Sequence, residues 1–255
     1  MPTKPKKISK LIFIYPLLLM AVFGMLLFSN QSDKKSDVGT TNNPNKSNIN
    51  SGENNLKYSL TDPSSPWIIV NKHNSIPTSY VPELTLPNIQ LRLSQTSDLM
   101  KVSPQAKQPI EKLFAQAANQ GINLRLASGY RSAATQESLY NSYVTDQGQA
   151  EADKFSARPG YSEHQTGLAV DLVSSNDYCF LDPCWGETKE AKWLAENAYK
   201  YGFIIRYLEG KQTITGYNYE PWHLRFLGTE LATKVHQSGK TLEEYLDLEP
   251  APTYQ

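Results

Sequence analysis

Ser162-Glu163-His164-Gln165-Thr166-Gly167-Leu168-Ala169-Val170-Asp171 is the stretch of this 255-residue chain on which the reading of the fold turns. Read as a strand from Gly167 to Val173, it sends Leu168, Val170 and Leu172 to one face and Ala169, Asp171 and Val173 to the other. Asp171 is then a carboxylate between buried apolar neighbours. A buried charge needs a partner, and a metal cation is an effective one. His164 comes just before the strand, where the chain can fold back and bring its ring to the same place. Gly167 and Ala169 are small enough to leave room for it.

A second segment, Tyr219-Glu220-Pro221-Trp222-His223-Leu224, supplies another imidazole. His164, Asp171 and His223 together make the three-ligand set of a catalytic zinc site, which keeps a fourth position open. Glu220 is the candidate base that takes a proton from water at that position. The helical H-E-x-x-H arrangement is absent, and Pro221 biases Glu220 toward extended backbone. A bend within the segment is therefore required to bring Glu220 and His223 to one point. Trp222 is expected to pack behind the site. The remaining histidines, His73 and His236, lack supporting neighbours and read as structural or exposed.

Outward from these segments the chain reads as helices and strands in no regular βαβ order. Trp67-Ile68-Ile69-Val70 is a short apolar run followed by turn-prone Asn71, Asn74 and Pro77. Ser103 caps a helix with Pro104 at its first position, and Ile110, Leu113, Phe114, Ala117 and Ala118 follow at helical spacing up to Gly121. Ile122–Ala127 alternates as a half-buried strand, and Ser132 caps a second helix carrying Leu139, Tyr140, Tyr143 and Val144. Lys189–Tyr201 reads as a helix stopped by Gly202, and Phe203–Tyr207 as a strand. Leu231–Gln237 reads as a helix, and Thr241 with Glu244 has capping-box spacing. The expected class is α+β.

Four ordered pieces of this sequence resemble the VanY-like D-alanyl-D-alanine carboxypeptidases. They are Ser128-Gly129-Tyr130-Arg131-Ser132 with Gln136, Pro159-Gly160-Tyr161-Ser162-Glu163-His164 through Asp171, Tyr201-Gly202-Phe203, and Glu220-Pro221-Trp222-His223. Val70-Asn71-Lys72 with Pro77 resembles the N-terminal edge of that family, and the likeness covers most of residues 60 to 246. The family belongs to the zinc peptidases that include hedgehog-type and lysostaphin-like domains. The resemblance implies a small antiparallel sheet flanked by helices, zinc held by His164, Asp171 and His223, and Glu220 as catalytic base. It implies that Arg131, Gln136 and Ser162 engage a peptidoglycan stem peptide, from which a C-terminal D-alanine is removed by D,D- or L,D-carboxypeptidase action. Arg131 suits a terminal carboxylate because its guanidinium can bind two oxygens at once; it suits an oxyanion equally. An endopeptidase and a non-catalytic wall-binding module are the alternatives, although no ligand or base position is lost.

Composition sets the compartment and the partners. Lys+Arg and Asp+Glu both number 25, and zero net charge gives no reason to expect nucleic acid as a partner. Lys4, Lys6, Lys7 and Lys10 make residues 1–10 a basic tail, followed by an uncharged run from Leu11 to Phe28. At 1.5 Å per residue a helix over 11–28 would span roughly 27 Å, close to a bilayer core. A transmembrane anchor is expected, with a cleaved signal peptide as the alternative, since no A-x-A-like site follows. The basic residues ahead of the run keep the N-terminus cytoplasmic, so the body of the protein is expected outside the cytoplasm in either case, as the extracytoplasmic domain of a single-pass membrane protein where the anchor is retained. Residues 29–57, rich in Ser, Asn, Lys and Gly, read as a flexible linker, and 58–250 as one catalytic domain, expected to be a monomer. Cys179 and Cys184 fit a disulfide in an oxidising compartment, with free thiols or a catalytic cysteine as the other readings.

Overall fold

The computed structural model describes residues 56–255. The basic tail, the apolar run over 11–28 and nearly all of the linker lie outside the described residues. Among the described residues, no helix is long and apolar enough to cross a membrane.

The elements follow in the order α1 (Pro104–Asn119), β1 (Leu124–Ser128), α2 (Ala133–Gln147), α3 (Gln149–Ala152), β2 (Ala169–Ser174), α4 (Lys189–Asn197), β3 (Phe203–Tyr207), α5 (Gln212–Thr215), β4 (Glu220–Phe226), α6 (Thr229–Ser238) and α7 (Leu242–Tyr245). Local chemistry explains most of the boundaries. The Ser103 hydroxyl accepts from the Gln105 amide and Pro104 opens α1, while the Ser132 hydroxyl accepts from the Thr135 amide at the start of α2. Each such cap is worth about 1 kcal/mol. Thr241 and Glu244 exchange both bonds of a capping box at α7.

The four strands form one antiparallel sheet in the order β1-β2-β4-β3. β4 lies between β2 and β3 although it follows both, so the last strand is the one that stitches the sheet together. Leu126, Val170, Leu172 and Leu224 join Ile110, Leu113 and Ala117 of α1 and Leu194 of α4 in the larger core. A smaller core unites Ile204 with Leu231, Ala232 and Val235 of α6 and with Leu242 of α7. The Trp67–Val70 run enters no strand. Its alternate residues divide between the two cores, Ile68 and Val70 in the larger, Trp67 and Ile69 in the smaller. The packed chain continues past residue 250: Ala251 is buried, its amide donates to the Ile214 carbonyl, and Tyr254 stacks under Arg158.

Register positions the site. Ser128 pairs with Asp171 across β1 and β2, and Asp171 pairs with His223 across β2 and β4. Directly opposed residues share a face of the sheet, so Ser128, Asp171 and His223 form a row. On β2 the predicted alternation holds, with Val170 and Leu172 in the larger core and Asp171 on the opposite face.

Candidate metal centre

His164 comes from the 3-10 turn Glu163–Thr166, which folds back immediately ahead of β2 and ends at Gly167 with φ +69°. A Cβ at Gly167 would also press on the Ser103 backbone nitrogen at 2.9 Å, so both conformation and space demand glycine there. Asp171 and His223 come from paired positions on neighbouring strands. The result is one cluster: His164 Nε2 lies 3.3 Å from Asp171 Oδ2, and His223 Nδ1 lies 3.3 Å from Asp171 Oδ1. One donor atom from each residue can be chosen so that all lie within 4.8 Å of one another. The two imidazoles meet edge to face at 4.9 Å between centroids.

The donor set fits a divalent cation. Metal–ligand bonds of 2.0–2.1 Å at tetrahedral angles put neighbouring donors about 3.3 Å apart; His164 Nε2 stands at that distance from Asp171 Oδ2 and His223 Nδ1 from the other oxygen, Oδ1. All three residues are buried, and Asp171 Oδ1 is buried without a hydrogen bond. An orphaned carboxylate oxygen inside a protein calls for a partner, and a cation is one. His164 Nδ1 donates to the Gly129 carbonyl at 2.7 Å, which leaves Nε2 with its lone pair facing Asp171. On His223 the second nitrogen, Nε2, faces the Glu163 carboxylate at 3.2 Å.

Glu220 reaches the cluster through a strand irregularity. Between the pairs Ile205–Leu224 and Tyr207–Glu220, β4 carries two more residues than β3. On a regular strand, residues three apart point to opposite faces. Within this irregular stretch the alternation breaks, and Glu220 Oε2 comes to 3.7 Å from His223 Nδ1. Pro221 thus sits in a strand at a bulge, one of the few strand positions that tolerate it. Trp222 is half-buried and packs against the larger core.

Burial raises the Glu220 carboxyl to about 8, with Asp171 and Glu163 pushing in the same direction and His223 and Arg131 opposing. Burial lowers His164, favouring the neutral imidazole a ligand requires. Asp171 would be raised by burial, but His164 and His223 hold it well below the ordinary carboxylate value.

On the other flank, Arg131 Nη2 donates to Ser128 Oγ at 3.3 Å and lies 3.9 Å from Asp171 Oδ2. Ser128 Oγ in turn donates to Asp171 Oδ2. Arg131 Nη1 donates to Gln136 Oε1 at 2.9 Å, and the Gln136 amide nitrogen donates to Ser156 Oγ and the Ala157 carbonyl. Gln136 is 1% exposed. It stands behind Arg131 and holds the guanidinium, whereas the sequence pattern groups it with residues that face substrate. Ser162, buried, precedes the turn that carries His164, and its hydroxyl makes no cap bond there. Cys179 and Cys184 are disulfide-bonded with Cα atoms 5.7 Å apart. His73 and His236 do not join the cluster; His236 stacks on Tyr199 at 4.0 Å.

Residues 99–229 match the family model described as VanY, D-alanyl-D-alanine carboxypeptidase. The chain belongs to this family. A Bacillus subtilis protein that carries a carboxypeptidase name, YodJ, is 37% identical over 189 residues, covering 74% of this chain and 69% of its own length. Among solved structures, the LdcB LD-carboxypeptidase superposes with a TM-score of 0.69 at 38% identity, covering 72% of this chain and 87% of that one. A variant of the D,D-pentapeptidase VanY from the VanB-type resistance cassette, solved in complex with Zn(II), superposes with a TM-score of 0.59 at 36% identity, covering 70% and 97%. These likenesses span both D,D and L,D activities on one fold. The residues that sequence inspection passed over are Ser128, Gly129 and Glu163, which contact the ligands. Ser128 and Gly129 lie inside the Ser128–Ser132 piece and Glu163 beside His164, but no local signal marks their partners.

Proposed function

We propose that this protein is a zinc-dependent carboxypeptidase that removes the C-terminal D-alanine from peptidoglycan stem peptides. The observation that carries the reading is the convergence of His164, Asp171 and His223 between Glu220 on one side and Arg131 on the other. When bound there, zinc supplies Lewis-acid polarisation and lowers the pKa of water. Burial raises the Glu220 carboxyl above the ordinary carboxylate range, which makes its ionised form a stronger base than a solvent-exposed carboxylate. Glu220 accepts the proton of the attacking water and returns it to the leaving amine of D-alanine. Arg131 uses one donor on Gln136 and one on Ser128, so others of its five N–H groups are left for a terminal carboxylate. That cation next to the cluster favours trimming at a free chain end over cutting within a chain. Ser162 is proposed to bind the same peptide. The reading also places the domain outside the cytoplasm, tethered by residues 11–28 and acting as a monomer, with the Cys179–Cys184 disulfide suited to that compartment.

The test is mass spectrometry of synthetic tetra- and pentapeptide stems, with free and amidated C-termini, incubated with zinc-loaded protein. Release of a single alanine from free-carboxylate stems is expected. Cleavage inside the stem, or equal rates on amidated peptides, would overturn it. Glu220→Gln should lose at least about 1,000-fold in kcat while its zinc content, measured by atomic emission, stays at wild-type stoichiometry.

A further inference from the structure

We propose that Glu163 is a positioning residue for this centre: its carboxylate fixes the tautomer and ring orientation of the ligand His223. The inference rests on the reading of His164, Asp171 and His223 as metal ligands. Glu163 precedes His164 in the same 3-10 turn and is 2% exposed. A buried carboxylate persists only with several partners, and its two oxygens divide them. Oε1 accepts from Arg206 Nε at 2.8 Å and from Arg225 Nη1 at 2.9 Å. Oε2 faces His223 Nε2 at 3.2 Å.

Both arginines are themselves held. Arg206, from β3, grips the two oxygens of Glu243 on α7 with Nη1 and Nη2, and Asn71 donates to Glu243 as well. Arg225, from β4, donates to the Phe226, Pro66 and Ile68 carbonyls. The Glu163 carboxylate is therefore held by two anchored guanidiniums before His223 is considered. Two guanidiniums already share Oε1, so the orientation of Oε2 toward the imidazole is not needed for ion pairing.

An ionised carboxylate only accepts hydrogen bonds. It keeps a proton on His223 Nε2 and so leaves Nδ1, the nitrogen facing Asp171 and Glu220, to offer its lone pair to a cation. The turn around residue 163 thus supplies one ligand, His164, and the partner that orients another ligand 59 positions later in the chain. This links the two imidazoles through one piece of backbone.

The experiment compares full-length wild type, Glu163→Gln and Glu243→Gln. Zn(II) affinity is measured by competition with a chromophoric chelator, the Co(II) visible spectrum reports ligand geometry, and thermal unfolding is followed without metal. Glu163→Gln is expected to bind zinc about 10–100-fold more weakly and to shift the Co(II) bands. Glu243→Gln, which strips Arg206 of its other carboxylate but spares the Glu163–His223 contact, should lose thermal stability with affinity and spectrum near wild type. Wild-type affinity in Glu163→Gln, or affinity losses in both variants that simply follow their melting temperatures, would overturn the proposal. Nitrogen-15 NMR of zinc-loaded wild type gives a second reading that needs no variant. A protonated Nε2 and a metal-bound Nδ1 on His223 are expected, and the reverse assignment would overturn it. Wild type that binds neither zinc nor cobalt would instead overturn the metal centre itself.

Discussion

His223 sits among three carboxylates: Asp171 at 3.3 Å, Glu220 at 3.7 Å and Glu163 at 3.2 Å. Burial alone would lower its pKa, but the neighbouring carboxylates of Asp171, Glu163 and Glu220 raise it to about 9. Below that value the metal-free ring is protonated on both nitrogens, and a cation must displace the proton on Nδ1. Apparent zinc affinity should therefore rise roughly tenfold per pH unit between pH 6.5 and 8.5. Competition titrations at several pH values check this, and a flat profile would contradict it. Arg131 invites a second test at the same scale. Lysine carries the charge but cannot serve Gln136, Ser128 and a two-oxygen ligand together. Arg131→Lys should lower kcat/KM on free-carboxylate peptides about 10–100-fold, with a smaller effect on amidated ones. Steady-state kinetics on matched peptide pairs measures the difference.

At the scale of elements, the ends of β1 and the turn before β2 matter more than the strands themselves. Gly129 follows β1 and meets the 98–101 segment backbone to backbone, donating to the Leu99 carbonyl at 2.6 Å, while Tyr130 donates to the Lys101 carbonyl at 2.8 Å. A Cβ at Gly129 would collide with that Lys101 oxygen, and neither side is a flexible side chain that can yield. The Gly129 carbonyl is also the acceptor for His164 Nδ1, so a backbone shift there turns a ligand. Gly129→Ala is expected to cost about 1–3 kcal/mol of stability and to weaken metal binding as well. Chemical denaturation paired with a zinc titration separates these effects, and loss of stability with unchanged affinity would show that the carbonyl does not steer His164. The bulge in β4 belongs to the same scale. On a regular strand Glu220 and His223, three positions apart, would face opposite sides of the sheet; the irregular pairing between Ile205–Leu224 and Tyr207–Glu220 lets both reach the cluster.

Across the whole molecule, Glu163, Arg206, Glu243 and Arg225 form a charge-balanced buried network that joins the turn before β2, β3, β4 and α7. Burial pushes both carboxyls up, yet the arginines hold each below its ordinary value of 4.5. Both groups bind fewer protons folded than unfolded, so their contribution to stability is full above pH 4.5 and is lost as pH falls through the folded-state values. Denaturation measured from pH 7 down to pH 3 should show stability falling below about pH 5. Glu243→Gln should make that fall shallower, because it removes one of the two linked groups.

Much of this protein is legible without coordinates wherever the cause is local. Ser103, Ser132 and the Thr241–Glu244 pair cap their helices through bonds to amides two or three residues away. The alternation of β2 follows from the pleat alone, and it separates Asp171 from Val170 and Leu172. The residue types and spacing of His164, Asp171, Glu220 and His223 carry a recognisable chemistry. Tertiary structure decides what depends on partners far along the chain. Strand register sets Ser128, Asp171 and His223 in a row, and insertion of β4 between β2 and β3 brings residue 223 to residue 171. It places Gln136 behind Arg131, where the amide has no donor left for a peptide, and it turns Glu163 toward an imidazole in another strand. Backbone geometry and capping are settled by near neighbours, but a buried charge finds its partner only when distant segments close around it.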